Sequence, residues 1–274
     1  MSERCLTAAG TKVAGVRIAV VADIHGNLPA LEAVLDDVDA LSVDAVLVAG
    51  DVVGGPLVAE SLELLNSRPE AVHWIGGNAE REAVAAYDGA ATSDDLPGRA
   101  ASWSARALSQ GWRSRLASWP TTVTLSGVVF CHGSPRSDDE ILTRISPEAT
   151  YRDALAGVTE ALVVGGHTHQ QFIRQLGDNL TFANAGSVGL PYEGRLGAFW
   201  MLIDDNLPQL RQTAYDQAAA VSQLRASGFP RLEDHLDGSL LNAADPGWVA
   251  AFFEHRAGRG EDPGEPVLAS RARP

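Results

Sequence analysis

One short pattern is written three times in the first third of the chain. An apolar, β-branched run is followed by a polar break and then by a stretch whose apolar residues recur at helical spacing. VRIAVVA (16–22) leads through DIHGN into LPALEAVLDDVDAL, DAVLVAGD (44–51) leads into the apolar-periodic stretch 56–66, and AVHWIGGN (71–78) leads into AEREAVAAY. Runs of the first kind read as strands and of the last kind as helices. Three βα units in sequence imply a mainly parallel sheet with helices packed on it.

The grammar changes further along. Residues from about 89 to 120 are polar and then helical, punctuated by Gly89, Pro97 and Pro120, and read as an insert able to cover the mouth of a site. After Pro120 come strand-like runs, TVTLSG, VVFCHG, ALVVGG, QQFIRQLG, LTFANAG and GAFWMLID, with a helix over 146–156. Turns such as Ser126-Gly127 and Gly177-Asp178-Asn179 predict antiparallel pairing there. The expected class is therefore α/β: a four-layer α/β/β/α sandwich of two mixed sheets flanked by helices, with a C-terminal helical extension. QLRQTAY is its last strand and closes a domain over 16–214, followed by helical patterns over 215–258. The extension offers apolar faces for docking on the main domain or on a second copy in a homo-oligomer. Residues 259–274, with Pro, Gly and charge but no periodicity, read as a mobile tail, and 1–15 as a flexible lead-in without the apolar core of a signal peptide.

Composition limits the partners. With 45% hydrophobic and 20% charged residues in 274, the chain is globular in type, and no apolar run is long enough for a membrane-spanning helix. Its two cysteines, Cys5 and Cys131, are too few for a disulfide framework and fit a reducing, cytoplasmic setting. Cys131 ends an apolar run and reads as a small buried residue. The net charge of −14, a single Lys and dispersed Arg residues disfavour long nucleic acids as partners. A small phosphorylated molecule is not disfavoured, because bound metal ions can dominate the local field.

Five of the apolar runs end in residues that bind metals well: Asp23-x-His25, Gly50-Asp51, Gly77-Asn78, His132-Gly133 and Gly166-His167-x-His169. Sites in open α/β sheets assemble at the carboxyl ends of strands, so groups distant in sequence can converge there. Singly, Asp23 and Asp51 have an ordinary reading as helix caps or turn formers, and each histidine as a hydrogen-bonded loop residue. Imidazole, carboxylate and one amide oxygen, without thiolate, suit Mn²⁺, Fe²⁺, Zn²⁺, Co²⁺ or Ni²⁺. Seven ligands exceed the needs of one tetrahedral ion but match two ions that share a carboxylate.

The series DIHGN, GDVVG, GN, HG and GHTH resembles the calcineurin-like metallophosphoesterase superfamily, over roughly residues 16 to 205. The resemblance implies two divalent ions, with manganese favoured: Asp23, His25 and His169 on the first, Asn78, His132 and His167 on the second, and Asp51 bridging. It also implies in-line attack on phosphorus by a metal-bridging hydroxide. Many members carry Gly-Asn-His, the His protonating the leaving group, whereas this chain reads Gly77-Asn78-Ala79-Glu80. In this it is similar to the small bacterial YfcE-like phosphodiesterases, and the proton donor is left unassigned. Activated aryl phosphodiesters should then turn over better than alkyl phosphomonoesters.

Three further residues are candidates for touching substrate: Arg136 in HGSPR, and Asn184 and Ser187 in NAGSVG. Arg136 reads equally well as half of a surface ion pair, and the NAGSVG loop as backbone shaped by Gly186 and Gly189. Glu80 and Arg81 read as a solvated helix face, His73, His235 and His255 as structural or solvated, and Trp103, Trp112 and Trp119 as packing. The expected activity is hydrolysis of a small phosphodiester or phosphomonoester. The alternatives are a nuclease, against which the lack of a basic patch counts, or a non-catalytic scaffold like the retromer subunit of that superfamily, against which the intact ligand set counts.

Overall fold

The computed structural model describes residues 16–68 and 70–268. The lead-in 1–15 and the last part of the tail, 269–274, lie outside the described residues. The three βα units run β1 (Arg17–Val21), α1 (Leu28–Leu41), β2 (Ala45–Ala49), α2 (Val58–Asn66), β3 (Ala71–Ile75) and α3 (Asn78–Tyr87). The insert forms α4 (Leu96–Ala107) and α5 (Gln110–Leu116). After it come β4 (Thr122–Leu125), β5 (Val128–Cys131), α6 (Glu148–Ala154), β6 (Leu162–Gly165), β7 (Gln171–Leu176), β8 (Leu180–Ala185), β9 (Ala198–Asp204) and β10 (Leu207–Thr213). The extension holds α7 (Gln217–Ala226), α8 (Leu232–Leu236) and α9 (Pro246–Arg256).

The strands form two five-stranded sheets, ordered β10-β9-β1-β2-β3 and β4-β5-β6-β8-β7. β1, β2 and β3 are parallel, in register through Ile18, Ala45 and Ala71. The expected antiparallel pairings are present where turns predict them. Ser126 and Gly127 both have positive φ, 52° and 78°, which a two-residue turn between β4 and β5 requires. β7 and β8 pair antiparallel through Leu176 and Leu180.

The two-residue period of strands explains the layering. Ile18, Val20, Leu47 and Ala49 face Val128, Phe130 and Val164 between the sheets. Their alternates Ala19, Val21, Val46 and Val48 pack on Leu31, Val34 and Leu62 of α1 and α2. On the far side Val129, Val163 and Phe182 pack on Tyr151 and Leu155, at α6. The result is the mixed α/β/β/α sandwich expected from sequence. A fourth cluster brings Leu224, Leu232 and Leu236 of the extension against Ala100 of the insert and Leu190, so the extension docks on its own chain. The described part of the tail, up to Leu268, makes contacts with the body. Arg259 Nε donates to Glu254 Oε2 at 2.8 Å and its Nη2 to Ile141 O at 2.7 Å, and Asp245 N–H donates to Val267 O at 2.7 Å.

Candidate metal centre

The loops that leave β1 and β2 are laced together before any side chain is considered. Asp23 N–H donates to Gly50 O, and His25 N–H to Asp51 O, at 3.1 and 3.0 Å. Five of the seven expected ligands, Asp23, His25, Asp51, His167 and His169, hold left-handed backbone, with φ of 53°, 47°, 55°, 69° and 56°. For a residue with a Cβ that conformation costs roughly 1–2 kcal/mol, and such strain gathers at functional sites. Glycine is needed where the loops meet: a Cβ on Gly77 would lie 2.2 Å from Asp51 Oδ1, and one on Gly189 1.8 Å from Ile24 O.

The side chains converge as two groups, Asp23 with His25 and His169, and Asp51 with His132 and His167, each with ligand atoms within 4.8 Å of one another. In the first, His169 Nε2 lies 3.2 Å from Asp23 Oδ1 and 3.2 Å from His25 Nε2. In the second, His132 Nε2 is 3.4 Å from Asp51 Oδ2. That same Asp51 oxygen is 3.7 Å from His25 Nε2, so it faces both groups. Asp51 Oδ1 is occupied on its other side, accepting Ala79 N–H at 2.8 Å.

Hydrogen bonds fix which atoms face inward. His132 Nδ1 donates to Ala49 O and His169 Nδ1 to Leu190 O, both at 2.7 Å, which turns each Nε2 toward the carboxylates. Asp23 Oδ2 accepts His167 N–H at 3.0 Å. Asn78 Nδ2 reaches Glu82 Oε1 at 3.5 Å, turning its amide oxygen the other way. Asp23 Oδ1, Asn78 Oδ1 and His132 Nε2 are buried without a hydrogen bond. Buried polar atoms normally have one, so three in a single cluster of good metal donors fit cation binding.

Electrostatics point the same way. Burial opposes charge on His132, but Asp51 and Asp23 outweigh it and push its pKa up to about 10. Burial likewise opposes charge on His169, and Asp23 outweighs it and raises its pKa. His167 is pushed down to about 4 by burial and by His132. Burial works against ionised Asp23 and Asp51 as well, yet the neighbouring histidines hold both below the usual carboxylate range. The cluster attracts positive charge, and a metal ion would take the place of those protons.

Not every candidate from sequence joins the cluster. Arg136 forms the surface ion pair instead, with Nη2 at 2.6 Å from Glu140 Oε1 and 2.8 Å from Asp153 Oδ2. Asn184 and Ser187 are buried behind the centre and hold its loops. Asn184 Nδ2 donates to Gly166 O at 2.6 Å, and Ser187 Oγ donates to Asp23 O at 2.7 Å. Glu80 departs most from its expected place on a solvated helix face. It is 2% exposed, with Oε1 accepting Val52 and Val53 N–H and Oε2 accepting Asp51 and Gly77 N–H. Burial and the Asp51 charge push its carboxyl up to about 7, and the N–H donors work against that rise. Arg81 stays on the surface, paired with Asp138.

The cluster opens into a cavity of about 540 Å³ lined by His25, Asp51, Asn78, His167 and His169. The insert reaches it through Leu96, Pro97, Ala100 and Ala101 of α4, as expected. The C-terminal extension also contributes, through His235 and the aromatic face of α9, which nothing in the sequence pattern signals. His235 presents its edge to His25, ring centroids 6.5 Å apart, and its buried Nε2 has no partner. Burial and the two neighbouring histidines push its pKa down to about 3. Among the described residues no helix is long and apolar enough to cross a membrane.

The uncharacterised protein MJ0912 of Methanocaldococcus jannaschii is 28% identical over 234 residues, 78% of this chain and 93% of that one. A metallophosphoesterase of Sphaerobacter thermophilus superposes with a TM-score of 0.64 at 24% identity, covering 81% of this chain and 97% of the other. A hypothetical protein of Pyrococcus horikoshii OT3, PH1004, superposes with a TM-score of 0.71 at 18% identity, with the same coverage of 81% and 97%. At these identities the two structures bear on the fold alone. The family model of the calcineurin-like phosphoesterase superfamily domain matches residues 16–205, which span every residue of the two groups, and the chain belongs to that superfamily.

Proposed function

We propose that the protein is a binuclear metal-dependent phosphoesterase acting on a small phosphodiester in the cytoplasm. The observation that carries this is Asp51 Oδ2, 3.4 Å from His132 Nε2 and 3.7 Å from His25 Nε2, the position a shared ligand requires. Asp23, His25 and His169 would hold one divalent ion, Asn78, His132 and His167 a second, and Asp51 both. The donor set suits Mn²⁺, Fe²⁺, Zn²⁺, Co²⁺ or Ni²⁺, with Mn²⁺ favoured. Such a pair, when bound, lowers the pKa of water and neutralises charge on phosphoryl oxygens.

The rest follows from the chain's own residues. Ala79 lines the cavity where a proton donor would stand and offers no proton, which favours good leaving groups. Among the described lining residues Arg256 is the one Arg or Lys, against the carboxylates of Glu82, Asp234 and Asp237. This balance favours a singly charged diester over a doubly charged monoester. With Mn²⁺ added, bis-p-nitrophenyl phosphate is expected to exceed glycerol phosphate in kcat/KM by roughly 10²-fold or more, the size of a missing general acid. Faster turnover of the alkyl monoester would contradict the assignment.

A further inference from the structure

We infer that the cavity binds its substrate through a flat aromatic group, seated on a wall of rings that the C-terminal extension places beside the metal-ligand cluster; the inference rests on the phosphoesterase reading. The wall belongs to α9. Trp248 and Phe252 lie nearly parallel, 16° between planes and 5.2 Å between centroids, and Phe253 meets Phe252 edge-on at 70° and 5.9 Å. The Trp248 indole is held in place by Nε1–H donating to Gly264 O at 3.3 Å.

Phe253 also packs on Tyr192, 6.4 Å between centroids, whose ring stacks on His169, so it backs the metal-ligand cluster as well as the wall. All three rings of the wall are only partly buried, and none belongs to the four buried clusters of the described residues or packs against one. The same helix buries Ala250, and its buried Glu254 accepts from Thr143 Oγ1 at 2.7 Å, so its docking has anchors besides the aromatic face. Beyond Leu96 at its start, α4 gives the cavity only the small side chains of Pro97, Ala100 and Ala101, which leave room for a ring. At about 540 Å³ the cavity is larger than a phosphoryl group needs and falls in the range of organic ligands. It is continuous from the aromatic wall to His25, Asp51 and Asn78, so a group joined to phosphorus at the cluster extends along that wall. Aromatic rings add stacking geometry to apolar burial, which distinguishes a planar group from an equally apolar puckered one.

Calorimetric titration of the Mn²⁺-loaded protein with phenylphosphonate, cyclohexylphosphonate and methylphosphonate, above the second ionisation of all three, tests this without relying on turnover. Phenylphosphonate is expected to bind roughly 10-fold or more tighter than methylphosphonate and measurably tighter than cyclohexylphosphonate. In Phe252→Ala, and separately in Trp248→Ala, the phenyl-to-methyl ratio is expected to shrink. Equal affinities, no binding of any phosphonate, or a cyclohexyl group bound as tightly as phenyl would overturn the aromatic assignment. A clear phenyl preference in a protein that hydrolyses no phosphodiester would instead overturn the enzymatic reading and leave the aromatic site standing.

Discussion

Asp51→Asn is expected to fold and to lose phosphodiester hydrolysis by about 10³-fold or more. The substitution keeps the shape of the side chain and an oxygen to accept Ala79 N–H, but removes the charge from the atom that faces both His25 and His132. A ligand shared by two ions contributes several kcal/mol to charge stabilisation in such centres, and about 4 kcal/mol corresponds to that factor. Initial rates on bis-p-nitrophenyl phosphate with added Mn²⁺, beside a thermal melt of each protein, separate lost chemistry from lost structure. Equal rates in wild type and variant would defeat the catalytic account.

Glu80→Ala is expected to be among the most destabilising single changes in the chain, at about 3–5 kcal/mol, because it leaves the buried N–H groups of Asp51, Val52, Val53 and Gly77 without their acceptor. In a domain of this size that lowers Tm by roughly 10 °C. Glu80→Gln is expected to fare little better. Each carboxylate oxygen accepts two N–H groups, Val52 and Val53 on Oε1 and Asp51 and Gly77 on Oε2, so an amide would turn its own NH₂ against two donors. A thermal melt of Glu80→Gln that matches wild type would show that the clamp does not hold the 51–53 loop.

The convergence of six of the seven metal-binding candidates, all but Asn78, into two groups was legible because each follows an apolar strand, and parallel strands deliver their carboxyl ends to one side. The residues that hold them were not. Glu80 has the local signature of a solvated acid in the first turn of a helix, and its burial arises only from the packing of α3 against the 51–53 loop. Asn184 and Ser187 stand in a loop near the centre, and only the folded structure shows that they bond to Gly166 and Asp23 backbone rather than face the cavity. For Arg136 the outcome could be read locally, since Glu140 stands four residues on in the sequence. His235 and the rings of α9 reach the cavity through docking of the extension, a contact with no local periodic signal.

The most direct test of the account is anomalous diffraction from crystals of the full chain grown with Mn²⁺. Two peaks about 3.5–4 Å apart are predicted, one beside Asp23, His25 and His169, the other beside Asn78, His132 and His167, with Asp51 between them. A single peak, or manganese bound only away from these side chains, would contradict it.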